Sequence, residues 1–361
     1  MRTYFTMLLL AMVVSFVATP IASRLAFLIG AVDRPDPRKI HREPTARLGG
    51  FAVAAGFCAP ILALYFLDNR VAQVFQANES LILALIFCGL TMFAVGVVDD
   101  VVGISAGKKL VLQIIVAIGM YWGGFRINEL STPLGPTWQL GWLSGPITVI
   151  WIVGLTNATN LLDGMDGLVA GVAAVLAVSL AMINILGGNS VVALLTFCLA
   201  GSALGFLPYN YSPARIFLGD SGSLFLGLVM AGISTISLFK AATAALVLVP
   251  LLLFGLPLFD TTQVVIGRLR RGQHPFSPDK THVHHKLLRL GLNQKEAAFF
   301  LYVISIFLGI AAIILSKYSN RSVFVGLLVV GGLIGASLLA WSWHLRDRRR
   351  PPEDPVPRPD A

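Results

Sequence analysis

Charged residues are scarce in this chain of 361 residues. Asp, Glu, Lys and Arg make up 12% of it and hydrophobic residues 56%, whereas a soluble domain carries about 25% charged residues. The apolar runs are long and continuous, without the alternation that is typical of a β-barrel strand. This composition excludes a soluble fold and predicts an all-α polytopic membrane protein.

Cysteine is scarce as well. Cys58, Cys88 and Cys198 are the three cysteines of the chain, and all of them lie inside apolar runs. None stands at a metal-ligand spacing, so we interpret them as packing residues. The sequence therefore offers no disulfide framework and no cysteine-based metal site.

The apolar runs predict eleven transmembrane helices. They lie roughly at residues 4–30, 49–67, 80–98, 109–123, 144–157, 167–187, 190–207, 221–239, 241–266, 297–316 and 323–343. Together they form a single integral membrane domain over residues 1–343. The tail over residues 344–361 is rich in Arg and Pro and is predicted to be disordered.

Charge predicts the orientation of these helices. Of the 27 Lys and Arg residues, 20 lie in the C-terminal tail and in the alternate loops that also hold every acidic cluster. The positive-inside rule makes these segments cytoplasmic, which puts the N-terminus outside and the C-terminus inside. In such a protein the net charge of +9 indicates orientation and anionic lipid, not nucleic acid.

An acidic pair, Asp99-Asp100, ends the third predicted span, and Lys108-Lys109 opens the fourth. Two adjacent carboxylates at a membrane edge repel each other unless a cation relieves them. The pair is therefore either a solvated helix end or a carboxylate pair beside a metal, with Lys109 neutralising phosphate.

Amides and carboxylates recur at every third position of the next cytoplasmic segment. At helical pitch, Asn157, Asn160, Asp163 and Asp166 would share one face. Oxygen ligands of this kind suit Mg²⁺ or Mn²⁺. Polar contacts between helices are the alternative.

Asp220 ends the stretch Phe217-Leu-Gly-Asp220 in front of the eighth predicted span. An acidic residue with small neighbours is typical of a helix N-terminus, where backbone N–H groups favour anions. Asp220 is therefore either a helix cap or a functional carboxylate. Phe217 either stacks on a base or contacts lipid or core.

The loop over residues 267–296 is the most basic, and it contains Arg268, His282, His284 and His285. Without a cysteine or a fourth ligand at a usual spacing, these histidines are weak candidates for zinc. Together with arginine they can bind phosphate or sugar hydroxyls. A patch for lipid headgroups is the alternative.

Three further residues could support the same site. Lys39 and His41 lie in the first cytoplasmic loop, which its prolines stiffen. Asp260, near the inner end of the ninth predicted span, either orients a residue of the site without contacting the substrate or pairs with Arg268.

Together these motifs resemble those of the polyprenyl-phosphate N-acetylhexosamine-1-phosphate transferases. The resemblance covers nearly the whole chain in order. It rests on Asp99-Asp100, Asn157-x-x-Asn160-x-x-Asp163-Gly-x-Asp166-Gly-Leu168, Phe217-Leu-Gly-Asp220 and His282-Val-His284-His285. The last motif is similar to the GlcNAc-1-phosphate branch, whereas the peptidoglycan translocase branch typically has three consecutive histidines.

The resemblance implies a reaction and a place in the cell. Membrane-embedded undecaprenyl phosphate would attack the sugar-linked phosphorus of a UDP-N-acetylhexosamine, with UDP-GlcNAc as the expected donor. UMP would leave, and the undecaprenyl-diphospho-sugar would enter cell-envelope polysaccharide synthesis, for example of lipopolysaccharide O-antigen. The protein would lie in a bacterial inner membrane with its active site facing the cytoplasm. Homodimers occur in this family.

The resemblance also implies roles for individual residues. Asp220 with Asn160 would hold Mg²⁺, or Mn²⁺ in its place. Asp99 or Asp100 would orient or deprotonate the lipid phosphate, and Lys109 would stabilise phosphate charge. The groups around the nucleotide and the sugar would be Asn157, Asp163, Asp166, Phe217, Arg268, His282, His284 and His285.

Other functions fit the residues less well. A CDP-alcohol phosphotransferase needs Asp-Gly-x-x-Ala-Arg, whereas Asp166-Gly167 is followed here by Leu-Val-Ala-Gly. A cation-coupled transporter would place its polar residues in mid-span, whereas here they crowd the helix ends. The peptidoglycan translocase, or a transferase for another UDP-N-acetylhexosamine, differs mainly in its donor.

Overall fold

The computed structural model describes residues 2–34, 43–66, 70–130, 137–237, 248–273 and 282–318, and all of residues 322–337 except 324, 328 and 334. The helices are α1 (Arg2–Ile29), α2 (Gly49–Leu64), α3 (Arg70–Gln76), α4 (Glu79–Val102), α5 (Ala106–Trp122), α6 (Ser144–Leu162), α7 (Leu168–Leu186), α8 (Ser190–Asn210), α9 (Gly219–Ser237), α10 (Leu248–Leu253), α11 (Gly255–Arg270), α12 (Val283–Arg289) and α13 (Gln294–Lys317). Two antiparallel pairs of short strands accompany them, β1 (Val32–Asp33) with β2 (Thr45–Ala46) and β3 (Glu129–Leu130) with β4 (Trp138–Gln139).

In the described part of the chain, seven helices are long and apolar enough to cross a membrane: α1, α4, α6 with the preceding 3₁₀ turn, α7, α8, α9 and α13. The predicted class, a polytopic helical membrane protein, is confirmed. The count of eleven, the orientation and the division into domain and tail stay predictions. Residues 324, 328, 334 and 338–343 of the eleventh predicted span lie outside the described residues.

The ninth predicted span differs from the structure. Residues 238–247 lie outside the described ranges, and the rest forms two helices, α10 and α11, that meet at Phe254. Pro257 cannot donate to the carbonyl of Leu253, and Gly255 lowers helix propensity at the same point. These two residues explain why one continuous helix does not form here.

Helix α9 lies at the centre of the bundle and packs against α2, α4, α6, α7 and α8. Small residues allow this close packing. Gly96 of α4 lies against the backbone of Ser221, and Gly227 of α9 lies against Thr156 of α6. Because almost all of α9 is buried, the position of its first residue is determined by the surrounding helices.

A segment preceding α2 pairs with the segment preceding α9. Phe217 N donates to Ala46 O at 2.9 Å, and Gly49 N and Gly50 N donate to the carbonyls of Phe217 and Leu218 at 3.0 and 2.9 Å. These backbone hydrogen bonds hold residues 46–50 beside residues 216–218. The pairing brings the segment between β2 and α2 to the N-terminus of α9.

Candidate active site around Asp220

Asp220 lies in the first turn of α9, where segments distant in sequence meet. Its Oδ2 accepts a hydrogen bond from Lys109 Nζ at 3.1 Å, and its Oδ1 accepts one from Asn160 Nδ2 at 2.7 Å. Gly219 precedes it at φ +74°, and a side chain at position 219 would strike Asp100. This tight, left-handed turn therefore requires glycine.

Asp100 holds the N-terminus of α9. Its two carboxylate oxygens accept the backbone N–H groups of Asp220 and Ser221, each at 2.9 Å, and Arg47 Nε lies 3.0 Å from Oδ1. A buried carboxylate in this position satisfies helix N–H groups that would otherwise lack partners and complements the helix dipole. Asp100 therefore has a structural role, whatever it contributes to chemistry.

Asp99 has different partners from its neighbour. It forms an ion pair with Lys109, and its Oδ1 accepts the N–H of Ile104 at 2.6 Å. Because Lys109 also contacts Asp220, one ammonium group joins two carboxylates. With Asp100 bonded to α9, Asp99 is the stronger candidate of the acidic pair for proton chemistry.

Arg47 completes the cluster and was absent from the predicted site. Its Nη2 lies 3.5 Å from Asp220 Oδ1. Burial opposes the charge of Arg47, but Asp100 and Asp220 outweigh this effect and raise the pKa of the guanidinium. We call Arg47, Asp99, Asp100, Lys109 and Asp220 the carboxylate cluster; its three acids and two bases leave one net negative charge.

The two asparagines of α6 face different partners. Asn160 Nδ2 also donates to Ser223 Oγ at 2.9 Å, which joins it to the first turns of α9. Asn157 and Gln113 of α5 exchange hydrogen bonds of 2.6 and 3.3 Å. The structure thus brings Asn160 to Asp220 and places Asn157, one helical turn earlier, in a contact between α5 and α6.

Asp163 and Asp166 do not continue the helical face predicted for the two asparagines, because α6 ends at Leu162. They lie in the following turn. Asp166 Oδ2 accepts the N–H of Ala214 at 3.0 Å, and Tyr302 of α13 donates to the carbonyl of Gly167 at 2.7 Å. These bonds fix the turn between two neighbouring segments.

Asp163 lies in this turn near the carboxylate cluster. Burial, with a further contribution from the negative charge of Asp220, raises the pKa of Asp163 to about 8. Its carboxyl group is therefore mostly protonated at neutral pH and can both donate and accept a hydrogen bond.

A cavity of about 660 Å³ lies beside Phe217. It is lined by Asp166, Ser212, Pro213, Ala214, Phe217, Leu288, Asn293, Gln294 and Lys295. An aromatic ring with a few carboxylate and amide groups suits a planar heterocycle. Two of the predicted nucleotide residues, Phe217 and Asp166, are thus brought together.

Asp260 anchors the histidine segment, residues 282–285. Its Oδ2 lies 2.7 Å from His282 Nδ1, and its Oδ1 accepts the N–H of Val283 at 2.6 Å. Asp260 is fully buried. This geometry favours the supporting role predicted for Asp260, since a carboxylate on one ring nitrogen fixes the orientation and the tautomer of a histidine.

His284 links the histidine segment to the Asp163 turn. Its ring packs on Gly164, where an added Cβ would lie 2.6 Å from Cε1, and it stacks on His282 with centroids 5.6 Å apart. Neither ring nitrogen has a hydrogen-bond partner among the described residues. Burial lowers the pKa of His284 to about 4, so the ring is neutral at physiological pH.

The positions of the remaining predicted residues say less about their roles. His285 lies against the ring of His284, with centroids 4.3 Å apart, and Arg268 is buried in the last turn of α11. Lys39 and His41 lie outside the described residues.

Four residues of the site were not predicted: Arg47, Gln113, Ser223 and Tyr302. Gln113 and Ser223 carried a signal, because they follow Lys109 and Asp220 by four and three residues and so share their helix faces. Arg47 and Tyr302 reach the site through tertiary pairing, which a local pattern does not reveal.

The oxygen donors around Asp220 fit Mg²⁺ shared with a substrate. Among the described residues, no three carboxylate, imidazole or thiolate groups come together as a metal cage. Protein-bound Mg²⁺ usually takes one or two carboxylates together with waters and substrate phosphates. Asp220 with Asn160 and Ser223 offers that chemistry, provided that the Asn160 amide, whose nitrogen faces Asp220, turns its oxygen inward.

Fold and site together define a membrane-embedded enzyme class that handles phosphate-bearing substrates. Residues 82–238 match the family Glycosyl transferase family 4, and curated relatives align over most of the chain. The chain belongs to this family, in its branch of polyprenyl-phosphate N-acetylglucosaminyl 1-phosphate transferases. The resemblance predicted from the motifs is confirmed, while the roles of individual residues stay predictions.

Three relatives illustrate the match. A "Probable undecaprenyl-phosphate N-acetylglucosaminyl 1-phosphate transferase" of Bacillus subtilis is 35% identical over 88% of this chain and 86% of its own. A "Decaprenyl-phosphate N-acetylglucosaminephosphotransferase" of Mycobacterium tuberculosis is 31% identical, with coverages of 90% and 86%. An "Undecaprenyl-phosphate alpha-N-acetylglucosaminyl 1-phosphate transferase" of Salmonella typhi is 28% identical, with coverages of 77% and 74%.

Proposed function

We propose that this protein transfers GlcNAc 1-phosphate from UDP-GlcNAc to a polyprenyl phosphate, with undecaprenyl phosphate as the expected acceptor. The products are polyprenyl-diphospho-GlcNAc and UMP. The observation that carries the proposal is the convergence of α4, α5, α6 and the segment between β2 and α2 on Asp220 at one end of the bundle. The names of the aligned relatives support the same reaction.

The charges of the cluster suit two anionic substrates. The donor carries a diphosphate and the acceptor a phosphate, so their approach costs electrostatic repulsion that a cation must offset. The cluster has one negative charge in excess over Lys109 and Arg47. It therefore favours a divalent cation and keeps basic groups beside it for the phosphates.

The residues act by positioning and by charge. An oxygen of the acceptor phosphate attacks the sugar-linked phosphorus of the donor, and the bond from that phosphorus to the bridging oxygen breaks as UMP departs. Asp99 orients the acceptor phosphate or removes its remaining proton, and Lys109 offsets charge on the phosphates. Asp163, Asp166 and Phe217 bind the nucleoside, and the histidine segment with Arg268 covers the sugar and the diphosphate.

Asp220 and Asn160 would hold Mg²⁺, or Mn²⁺ in its place. When bound, the ion supplies charge neutralisation and alignment of the phosphates. We favour direct attack over a phospho-enzyme route, because aligned phosphates already react in line.

The test is a transfer assay with the purified full chain, undecaprenyl phosphate and UDP-GlcNAc carrying ³²P in the sugar-linked phosphate. We expect the label in an organic-extractable lipid, UMP as the coproduct and no transfer in EDTA. Release of UDP with unlabelled lipid would indicate transfer of the sugar alone and contradict the proposal. Absence of any labelled lipid would contradict it as well.

The same assay identifies the donor. UDP-GalNAc, UDP-FucNAc and UDP-MurNAc-pentapeptide are compared with UDP-GlcNAc at equal concentration. We expect UDP-GlcNAc to give the highest kcat/KM. Preference for UDP-MurNAc-pentapeptide would instead identify the translocase reaction.

We further propose that the protein lies in a bacterial inner membrane with the carboxylate cluster on the cytoplasmic side. The excess of Lys and Arg in the loops at this end supports this orientation. Single cysteines at the exposed positions Val102 and Arg215, in a background without Cys58, Cys88 and Cys198, should resist an impermeant thiol reagent in intact cells. Labelling of either position from outside would overturn the orientation.

A further inference from the structure

Arg47 occupies a position between the two ends expected of the donor. The backbone hydrogen bond from Phe217 N to Ala46 O places the neighbouring residue, Arg47, beside the segment that runs from Phe217 to Asp220. If the nucleoside stacks at Phe217 and the cation is held at Asp220, the phosphates between them pass next to Arg47.

The Arg47 side chain is held by two carboxylates. Nε lies 3.0 Å from Asp100 Oδ1, and Nη2 lies 3.5 Å from Asp220 Oδ1. Both carboxylates are fixed by α9, since Asp100 accepts the first N–H groups of that helix and Asp220 belongs to it. The guanidinium is therefore pre-organised, and its orientation does not have to be selected when a ligand arrives.

The same side chain remains accessible. It is 39% exposed, whereas Lys109 is 16% exposed between its two carboxylates. A guanidinium has five N–H donors in a planar fork that matches phosphate oxygens, and the two carboxylate contacts occupy two of them. Arg47 can thus hold the cluster together and still bind an anion on its open side.

We propose that Arg47 binds the diphosphate of the sugar nucleotide directly. It would act as a fixed guanidinium that neutralises phosphate charge during transfer, in addition to bridging Asp100 and Asp220. The inference rests on the proposed donor class, a uridine diphosphate sugar. It assigns a ligand contact to the first cytoplasmic loop that the acidic and histidine motifs do not provide.

The test compares ligands that differ only in phosphate. Binding of uridine, UMP and UDP is measured by calorimetry, in one Mg²⁺-containing buffer, for the purified wild type, Arg47→Gln and Arg47→Lys. We expect Arg47→Gln to weaken UDP about tenfold to a hundredfold, as for a lost charge-assisted hydrogen bond, and to leave uridine unchanged. Arg47→Lys keeps the positive charge but lacks the planar guanidinium, so its affinity for UDP should lie between those of the wild type and Arg47→Gln.

Arg215→Gln is the matched control. Arg215 is an exposed arginine five residues before Asp220. Its substitution removes the same charge as Arg47→Gln, but outside the carboxylate cluster. It should bind all three ligands like the wild type. Thermal unfolding and size-exclusion profiles establish that each variant is folded, and Arg47→Lys carries the test should Arg47→Gln not fold.

Two results would overturn the proposal. Equal weakening of uridine and UDP would show that Arg47 only supports the architecture of the site, and unchanged UDP binding would show no contact at all. The outcome is distinct from that of the proposed function. Failure of the wild type to form labelled lipid would refute the transfer reaction, whereas phosphate-dependent loss of binding in Arg47→Gln would still support the contact.

Discussion

The carboxylate cluster and the histidine segment are built in different ways. The cluster draws its side chains from α4, α5, α9 and the segment between β2 and α2, and ion pairs connect every member to another. The histidine segment begins a helix of seven residues, α12, and Asp260, the packing of His284 on Gly164 and contacts with α13 hold it in place. Charge organises the first region, and one buried carboxylate with ring packing organises the second.

This difference indicates how each region responds to substitution. Removing one charge from the ion-paired carboxylate cluster leaves a buried partner charge uncompensated. The free-energy cost of that charge exceeds the contribution of the lost contact itself. Loss of one ring in the histidine segment removes a packing or orienting contact, and Asp260 still accepts the N–H of Val283. We therefore expect large effects in the cluster and graded ones in the histidine segment.

The largest effect is expected for Asp220→Asn. The amide leaves Lys109 and Arg47 facing a neutral group and removes the charge that favours a cation, so turnover should fall at least about 10³-fold, as for loss of a main electrostatic group. The ³²P transfer assay measures it. Glu129→Gln, in the β3–β4 hairpin where Glu129 bonds Gln139, is the control and should be fully active. Near wild-type turnover of Asp220→Asn would remove Asp220 from the reaction centre.

The next effect separates the two adjacent aspartates. Asp99→Asn should lower turnover about 10²-fold and cost less stability than Asp100→Asn, because Asp99 bonds one backbone N–H and Lys109, and Lys109 keeps its contact with Asp220. Asp100→Asn should instead cost about 2 kcal/mol of stability, because Asp100 accepts two N–H groups of α9 and pairs with Arg47. Transfer assays and thermal unfolding on both variants would contradict this division if the pattern were reversed.

The carboxylate cluster was largely predictable from sequence, because its acids and Lys109 lie at the helix ends that the apolar pattern locates. The different roles of Asp99 and Asp100 were not predictable, because the two adjacent aspartates look alike in sequence. What separates them is the first turn of α9, which offers N–H groups to Asp100 alone. Arg47 was missed because its position depends on backbone pairing between residues about 170 apart in the chain.

The turn after α6 was not predictable from the sequence, although part of the helix before it was. The three-residue spacing correctly predicted Asn157 and Asn160 on one helix, but it gave no sign that the helix ends at Leu162. Gly164 and Gly167 permit the turn, and the bonds of Asp166 and Gly167 with Ala214 and Tyr302 stabilise it. Helix termini that depend on such tertiary bonds are not encoded in local periodicity.

A moderate effect is expected in the histidine segment. Asp260→Asn preserves size but changes the proton arrangement at His282 Nδ1, and His282→Gln removes the ring. Each should lower kcat/KM for UDP-GlcNAc about tenfold. Because Asp260 acts through His282, the double variant should be little worse than either single one.

Additive losses in this double-mutant cycle would assign Asp260 to the fold alone. Gln263→Ala is the control, since Gln263 also donates to Asp260, at the longer distance of 3.3 Å. We expect it to retain most activity.

The smallest effect is absent at neutral pH and emerges in acid. The pKa of His284 is lowered to about 4 in the folded chain, below its ordinary value near 6.5, so the unfolded chain binds the proton first as pH falls. Stability is retained above about pH 6.5 and decreases toward pH 4, by about 2 kcal/mol at pH 5. Thermal unfolding of His284→Asn between pH 7 and pH 5 should show a smaller loss than the wild type. Parallel curves would contradict the burial of a neutral ring, and His285→Asn serves as the neighbouring control.

The central claim is that Asp220 organises a site for a divalent cation shared with the sugar nucleotide. Titration of the purified protein with Mn²⁺ in the presence of UDP-GlcNAc, followed by electron paramagnetic resonance of the free ion, tests it without requiring turnover. The account predicts that the wild type removes about one Mn²⁺ per chain from solution, that Glu129→Gln does the same, and that Asp220→Asn does not. Equal Mn²⁺ binding by Asp220→Asn and the wild type would contradict it.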